Sequence, residues 1–385
     1  MDVEARRKRF ARSVAATVRR TGRITLSPAI VQAFASVPRD ELITQAYRAG
    51  ADDYQQQSSS DPGALLERLY ADDAIVTRLD EEGRPCSSSS QPSLMALMLH
   101  WLDLAPGVRV LEVGAGTGYN AALLAEVVGD PSLITTIDIQ QEVVDQTRRR
   151  LGRLGYGAVT VRCGDGTHGA ADRAPFDRVI VTVGCPDISW HWVEQMVADG
   201  RLVVPLQHGG PHADPVLFLR RSGSKLVGRV VSPSGFMALQ GNHSDAPWPQ
   251  SIEDAQATTP DRQLPLFDDL DRGRGRWWDF AFFLALVDDR TYFSGVLALS
   301  DPDFGRVVMT PSGIRLWGEE RLLDDLVTAH EQWGALGRPR LTDWTISMAP
   351  RSTDRPEHDP SDGVWLVTRA DSWQTFSLGA ASGEI

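Results

Sequence analysis

Apolar residues along this chain change their spacing more than once, and each change marks a different kind of element. Residues 1–48 read as helices. The stretch 1–20 is amphipathic, and Thr25-Leu26-Ser27-Pro28 reads as a helix start with Ser27 as N-cap and Pro28 in the first turn. Residues 50–62 are polar and rich in turn formers, so a loop is expected there, followed by a short helix over 64–70. From Pro92 onward short apolar runs alternate with helical stretches. Helices are expected at 92–102, 119–128, 141–154 and 188–198, and buried strands at 109–113, 133–138, 159–162, 176–183 and 201–206. Strands separated by such helices specify a parallel, doubly wound α/β sheet. Residues 216–219 and 226–231 predict an antiparallel hairpin closing that sheet.

The pattern changes again after residue 240. Residues 241–275 are rich in Asp, Pro, Gln and Thr and read as a linker or surface segment, after which Trp277-Trp278-Asp279-Phe280-Ala281-Phe282-Phe283-Leu284 opens a second apolar unit. Strands at 306–309, 314–317 and 364–369 with a helix at 319–333 predict a smaller α+β domain. The expected division is an N-terminal helical segment and loop over 1–87, a doubly wound domain over 88–240, a linker over 241–271 and a C-terminal accessory domain over 272–385. Tryptophans 277, 278, 317, 333, 344, 365 and 373 are expected mostly in its core.

Composition narrows the classes of function. A chain of 385 residues has room for about two cores, and 42% hydrophobic residues exclude disorder for its bulk. No run approaches the roughly 20 uncharged apolar residues of a membrane span, and the arginine-rich start lacks the apolar region of a secretory signal. Cys86, Cys163 and Cys185 lie far apart, without a CxxC or a His/Cys cluster. Neither a metal site nor a disulfide framework is expected, and a reducing cytoplasm is the expected location. The net charge of −12 argues against a nucleic-acid partner. Arg6–Arg9 and Arg148–Arg150 read as solvated helix faces, and His168 and His191 as surface or packing residues.

The chemistry sits where a strand meets glycines. Val110-Leu111-Glu112-Val113 runs into Gly114-Ala115-Gly116-Thr117-Gly118-Tyr119, at the carboxyl end of the first strand of a doubly wound sheet, where such folds bind ligands. The spacing is GxGxG, not the GxGxxG that seats a pyrophosphate. An acid, Glu112, precedes it, which suits a ligand carrying an ammonium. Asp138 ends the second strand, 24 residues after Gly114 (138 − 114), close to the spacing of a carboxylate that accepts ribose hydroxyls. Asp165, in Gly164-Asp165-Gly166, follows the third strand and is placed to accept from an adenine amino group. Each acid alone also serves as a helix cap or a turn residue; three at successive strand ends point to S-adenosyl-L-methionine. The expected fold is therefore that of a Rossmann-like class I methyltransferase, with Glu112, Gly114, Gly116, Gly118, Tyr119, Asp138, Asp165 and Gly166 at the cofactor.

From about residue 24 to 231 the chain resembles the protein-L-isoaspartate O-methyltransferases. The resemblance rests on Val37-Pro38-Arg39-Asp40, Ser88-Ser89-Ser90-Gln91-Pro92, the glycine loop, Gly164-Asp165-Gly166, Ala174-Pro175-Phe176-Asp177 and Asp199-Gly200-Arg201-Leu202-Val203-Val204-Pro205. The serine block is the specific part. The family pattern there is roughly Thr-Ile-Ser before Gln-Pro or Ala-Pro, so Ser88 stands for the threonine, Ser89 for the isoleucine and Ser90 for the serine. The resemblance implies a carboxylate acceptor on a peptide or protein, an aspartyl or isoaspartyl group, with Ser88 and Ser90 holding one of its oxygens. Such an acceptor is ionised at neutral pH and needs no general base. A plain polar linker with Ser90 as helix N-cap is the competing reading of the serines.

Two departures from the family pattern stand out. Repair enzymes of this family usually end soon after the methyltransferase core, whereas this chain continues for about 150 residues, and the segment before Ser88 is longer and more acidic. Especially in its polyserine block and Trp-rich tail, it resembles extended relatives associated with ribosomally made, modified peptides (lanthipeptides and graspetides), which methylate an ordinary aspartate whose ester cyclises to aspartimide. A small-molecule methyltransferase and an inactive binding module are the remaining readings.

Overall fold

The amphipathic start of the chain forms α1 (Val3–Gly22) and α2 (Pro28–Ser36) in the computed structural model, which describes residues 3–49, 54–56, 62–210, 213–241, 259–270, 276–294 and 296–379. Helix α1 buries Phe10, Ala11, Val14 and Val18, a single apolar stripe. The Ser27 hydroxyl accepts the N–H of Ile30 at 3.4 Å, as the capping pattern predicts. The chain divides into two compact units, Met1–Val183 with Ser189–Val203, and Gly184–Ile188 with Val204–Ile385.

After α3 (Arg39–Leu42) the first unit departs from the expected helix and loop. Strands β1 (Tyr47–Ala49) and β2 (Tyr54–Gln56), helix α4 (Pro62–Leu69), and strands β3 (Ile75–Leu79) and β4 (Pro85–Ser89) follow, and the strands form a sheet in the order β2-β1-β3-β4. Of the expected loop over 50–62, residues 50–53 and 57–61 lie outside the described residues. The acidic stretch before the serines is a hairpin turn. Asp80 Oδ1 accepts the N–H groups of Glu82 at 3.0 Å and Arg84 at 2.8 Å, and Gly83 takes φ +78°. The serine run is thereby a strand, with Ser89 opposite Ile75 and Ser88 opposite Val76.

The doubly wound part follows as α5 (Pro92–Leu102), β5 (Val110–Val113), α6 (Tyr119–Val128), β6 (Ile134–Asp138), α7 (Gln141–Arg153), β7 (Thr160–Cys163), β8 (Phe176–Val181), α8 (Trp190–Glu194) and β9 (Met196–Pro205). Strand order is β9-β8-β5-β6-β7 with parallel neighbours, and every residue of the central β5 is buried. The helix expected over 188–198 is only α8. Gln195 ends it by accepting the N–H of Ala170 at 2.7 Å and donating to the carbonyl of His168 at 2.8 Å, and β9 begins at the next residue.

The second unit holds β10 (Val216–Ser222), β11 (Lys225–Ser232), β12 (Arg262–Leu264), α9 (Arg276–Val287), β13 (Thr291–Ser294), β14 (Val296–Asp301), β15 (Gly305–Thr310), β16 (Gly313–Gly318), α10 (Arg321–Ala335), β17 (Trp344–Pro350), β18 (Val364–Thr368) and β19 (Ser372–Leu378). The hairpin β10–β11 is formed, and β11 pairs with β17, Leu226 opposite Met348. Strands β12 to β16 make a separate antiparallel sheet in the order β12-β16-β15-β14-β13. Within the expected linker, residues 242–258 and 271–275 lie outside the described residues, while 262–264 form β12. Trp277, Trp333, Trp344 and Trp365 are buried; Trp278, Trp317 and Trp373 are half-buried.

Helix α5 matters for the site because it carries the serine block at its start. Its N-cap, Gln91, makes no side-chain cap bond, and Ser90 is not the cap either. Asp72 serves from a distance, Oδ1 accepting the N–H of Ser93 at 2.8 Å. Replacing Asp72 by Ala is expected to cost about 1 kcal/mol. A thermal melt should register this as a drop of about 2–4 °C, and an unchanged midpoint would show that Asp72 contributes no cap.

Candidate methyl-transfer site

The glycine loop is shaped by what surrounds it. Gly114 has φ +102°, and a Cβ there would sit 2.5 Å from Thr182 Oγ1, which itself donates to the Gly114 carbonyl at 2.9 Å. Only glycine fits that turn. Gly116 has φ +48° and lies against the serine strand, where a Cβ would come 3.4 Å from the carbonyl oxygen of Ser88. Gly118 is the N-cap of α6 with φ +82°.

The acids fall at successive strand ends but have different surroundings. Asp138 accepts the Gly116 N–H at Oδ2 (3.0 Å) and the Gln140 N–H at Oδ1 (3.1 Å), and burial pushes its pKa up. Asp165 caps the short 3₁₀ turn Gly166–His168, taking the N–H and the hydroxyl of Thr167 at 2.9 and 2.7 Å. Gly166 is buried, and its carbonyl accepts Trp192 Nε1 at 2.8 Å. Glu112 lies wholly beneath the loop. Its Oε1 accepts Asn120 Nδ2 at 2.8 Å, and burial pushes the carboxyl up to about 7. Tyr119 is also interior, its ring edge-on to Phe34 at 6.2 Å.

The structure brings the serine strand onto this loop and ties it there. Gln140 Nε2 donates to the carbonyl of Cys86 at 3.0 Å, and the Ser88 carbonyl faces Gly116. Arg39, fully buried, donates through Nη2 to Ser89 Oγ and the Ser90 carbonyl, each at 3.4 Å. Nη2 also reaches the carbonyl of Asp73 (3.4 Å), Nη1 those of Leu69 (3.0 Å) and Ala71 (3.3 Å), and the guanidinium carbon stands 5.5 Å from the Tyr119 ring centre. Arg39 was not among the site residues expected from sequence; its signal was the Val37-Pro38-Arg39-Asp40 block. A cleft of about 160 Å³ opens beside the loop, walled by Tyr47, Thr77, Arg78 and Ser87 from the small sheet, by Gly116 and Thr117, and by Glu142, Gln146 and Arg150 of α7. Ser87 rather than Ser88 or Ser90 lines it. His168 and His191 face each other at 5.7 Å, with His191 more than half exposed.

A glycine turn at the carboxyl end of the central strand, with acids at the ends of the next two strands, is the arrangement of the class I methyltransferase fold. A family model described as protein-L-isoaspartate(D-aspartate) O-methyltransferase matches residues 12–244, and the chain belongs to that family. The protein-L-isoaspartate O-methyltransferase of Thermotoga maritima is 33% identical over 217 residues, 56% of this chain and 62% of that one. Its counterpart from Roseiflexus castenholzii is 41% identical over 155 residues, 40% of this chain and 69% of that protein. The match thus spans less than two thirds of the Thermotoga relative. A solved protein-L-isoaspartate O-methyltransferase is 26% identical with a TM-score of 0.52, and the match covers 88% of this chain and 96% of that one. The first unit alone is about half of this chain, so most of the second unit also has a counterpart there. The length beyond the core is therefore not by itself a departure from the family. Among the described residues no helix is long and apolar enough to cross a membrane.

Glu112 supplies a test of the loop's foundation. Its carboxyl is raised from 4.5 to about 7, so below about 4.5 it is protonated in both folded and unfolded chains and makes no pH-dependent difference. As pH climbs from there through 7 the unfolded chain ionises first, and stability is lost. Glu112→Gln keeps an acceptor for Asn120 and removes that loss. The variant is expected to melt higher than the parent at pH 8 and alike at pH 4.5; a lower midpoint at pH 8 would contradict the burial argument.

Proposed function

We propose that this protein methylates a side-chain carboxylate of an aspartate in a modified ribosomal peptide, and that the ester then cyclises to aspartimide and opens to isoaspartate. The observation that carries the carboxylate acceptor is the serine strand held against the glycine loop by Arg39 and Gln140. S-adenosyl-L-methionine, when bound, supplies a methyl group on a sulfonium. The cradle fits it: Gly114, Gly116 and Gly118 leave room for close approach, Asp138 is placed for ribose hydroxyls and Asp165 for the adenine, while Glu112 supports the loop through Asn120.

The residues then have little covalent work to do. Ser88 and Ser90 donate hydrogen bonds to one carboxylate oxygen and leave the other free to displace the methyl, which moves to that oxygen as the sulfonium becomes a neutral thioether. Attraction between opposite charges, position and exclusion of water lower the barrier. Ring closure needs only the substrate: the next backbone nitrogen attacks the ester carbonyl and methanol leaves with the amide proton.

An altered acceptor is favoured by the strand itself. Where the family pattern has threonine and isoleucine this chain has Ser88 and Ser89, and the Ser89 hydroxyl is bound by buried Arg39. The second reading, methylation of isoaspartyl sites in damaged proteins, is the activity named for the relatives, and the same cradle would serve it. Incubation with S-adenosyl-L-methionine and a modified aspartate-containing precursor peptide is expected to give the aspartimide, one water lighter than its substrate, before that ring opens to isoaspartate. Turnover of isoaspartyl peptides with none on aspartyl ones would overturn the tailoring reading. Ser90→Ala should lower turnover and leave cofactor affinity, measured by calorimetry, nearly unchanged; equal losses of both would make Ser90 structural.

A further inference from the structure

The basic run on α7 was expected to be a solvated face, and part of it is. Arg148 pairs with Asp145 at 3.1 Å, and across the same cleft Arg78 pairs with Glu142. Arg150 differs. It is half-buried, lines the cleft beside Gly116 and Thr117, and among the described residues has no carboxylate within 4.0 Å. Its Nη2 donates only to neutral oxygens, Thr44 Oγ1 at 2.9 Å and Gln146 Oε1 at 3.1 Å. The charges that act on it are like ones, Arg149 and Arg153, which with burial hold its pKa below the usual value.

A chain with 51 acids to 39 bases has carboxylates in excess, yet among the described residues none is within ion-pair distance of this guanidinium. A partly desolvated cation among like charges is unfavourable until an anion arrives. Apart from the Arg78–Glu142 ion pair, the wall also offers hydrogen-bonding groups: Thr44, Tyr47, Thr77 and Ser87 bring hydroxyls to the same cleft. We infer that the cleft is a subsite for a second carboxylate of the acceptor peptide, carried by a residue flanking the one that is methylated, with Arg150 as the residue that reads it. The inference rests on the peptide-carboxylate reading of the site and adds a substrate class to it, peptides with an acidic flank. The position follows from the lining, since Gly116 and Thr117 belong to the cofactor loop and Ser87 to the serine strand, so a peptide whose acceptor reaches the loop lays its neighbours along this wall.

The test uses the full chain with S-adenosylhomocysteine bound, and two capped pentapeptides that differ only in carrying Glu or Gln on both sides of a central Asp. Calorimetric titration of the parent is expected to favour the Glu peptide by about tenfold, the size of one charge-assisted hydrogen bond. Arg150→Met should abolish the preference, Arg150→Lys should keep part of it, and neither should change S-adenosylhomocysteine affinity. Equal affinity of the parent for both peptides overturns the inference, and so does a loss of S-adenosylhomocysteine affinity in Arg150→Met, which would assign the cation to the cofactor. A methyl-transfer assay on the same peptides and their isoaspartyl forms separates the two readings. Preference in binding with no transfer to any of them would leave the subsite standing and remove the carboxyl-transfer assignment.

Discussion

A guanidinium buried without a carboxylate partner holds the acceptor side of this protein together. Arg39 is out of water, and no carboxylate lies within ion-pair distance of it among the described residues. Burying such a charge is tolerated only where hydrogen bonds replace the water. Carbonyl oxygens of Leu69, Ala71, Asp73 and Ser90 and the Ser89 hydroxyl do so, with the rings of Phe10 and Tyr119 close to the cation. One side chain thereby joins the end of α4, the segment that caps α5, the serine strand and the first residue of the helix after the glycine loop. The planar fork reaches several acceptors at once, which a lysine in the same place would not do.

That arrangement explains why the acceptor strand is built from serines without being loose. A run of four serines has no apolar face with which to pack. Its place comes from the backbone: ladder bonds to β3, Gln140 on the Cys86 carbonyl and Arg39 on Ser90. The hydroxyls of Ser88 and Ser90 are thereby left available for the role proposed for them. On the cofactor side the constraint is different. There the glycines are required by neighbours, Thr182 against Gly114 and the serine strand against Gly116, and Glu112 fills the space beneath.

The second unit changed its meaning between sequence and structure. As a sequence it was a reason to set the chain apart from the repair enzymes. The solved relative that matches 88% of the chain shows that most of this architecture occurs in a protein-L-isoaspartate O-methyltransferase. In the proposed reading, substrate choice rests with the serines of the strand and Arg150, and not with chain length.

Local sequence determined the parts governed by short-range rules. The doubly wound strands and helices were legible because buried parallel strands are continuous apolar runs; the glycine loop and the acids at the strand ends were legible because turns and caps need particular residues. The Ser27 cap and the hairpin β10–β11 belong to the same class. The small N-terminal sheet was missed because its strands are short and β1, β2 and β4 are largely polar, so only pairing between distant segments makes them strands. Helix α8 was overestimated because Gln195 ends it through residues 168 and 170, far away in the chain. Tertiary structure alone decided that Glu112 lies under the loop, that Asp72 caps a helix beginning twenty residues later (92 − 72), and that Arg39 meets Ser89 and Ser90. Each of these depends on which buried groups find partners once the first unit is folded, and no local pattern encodes that.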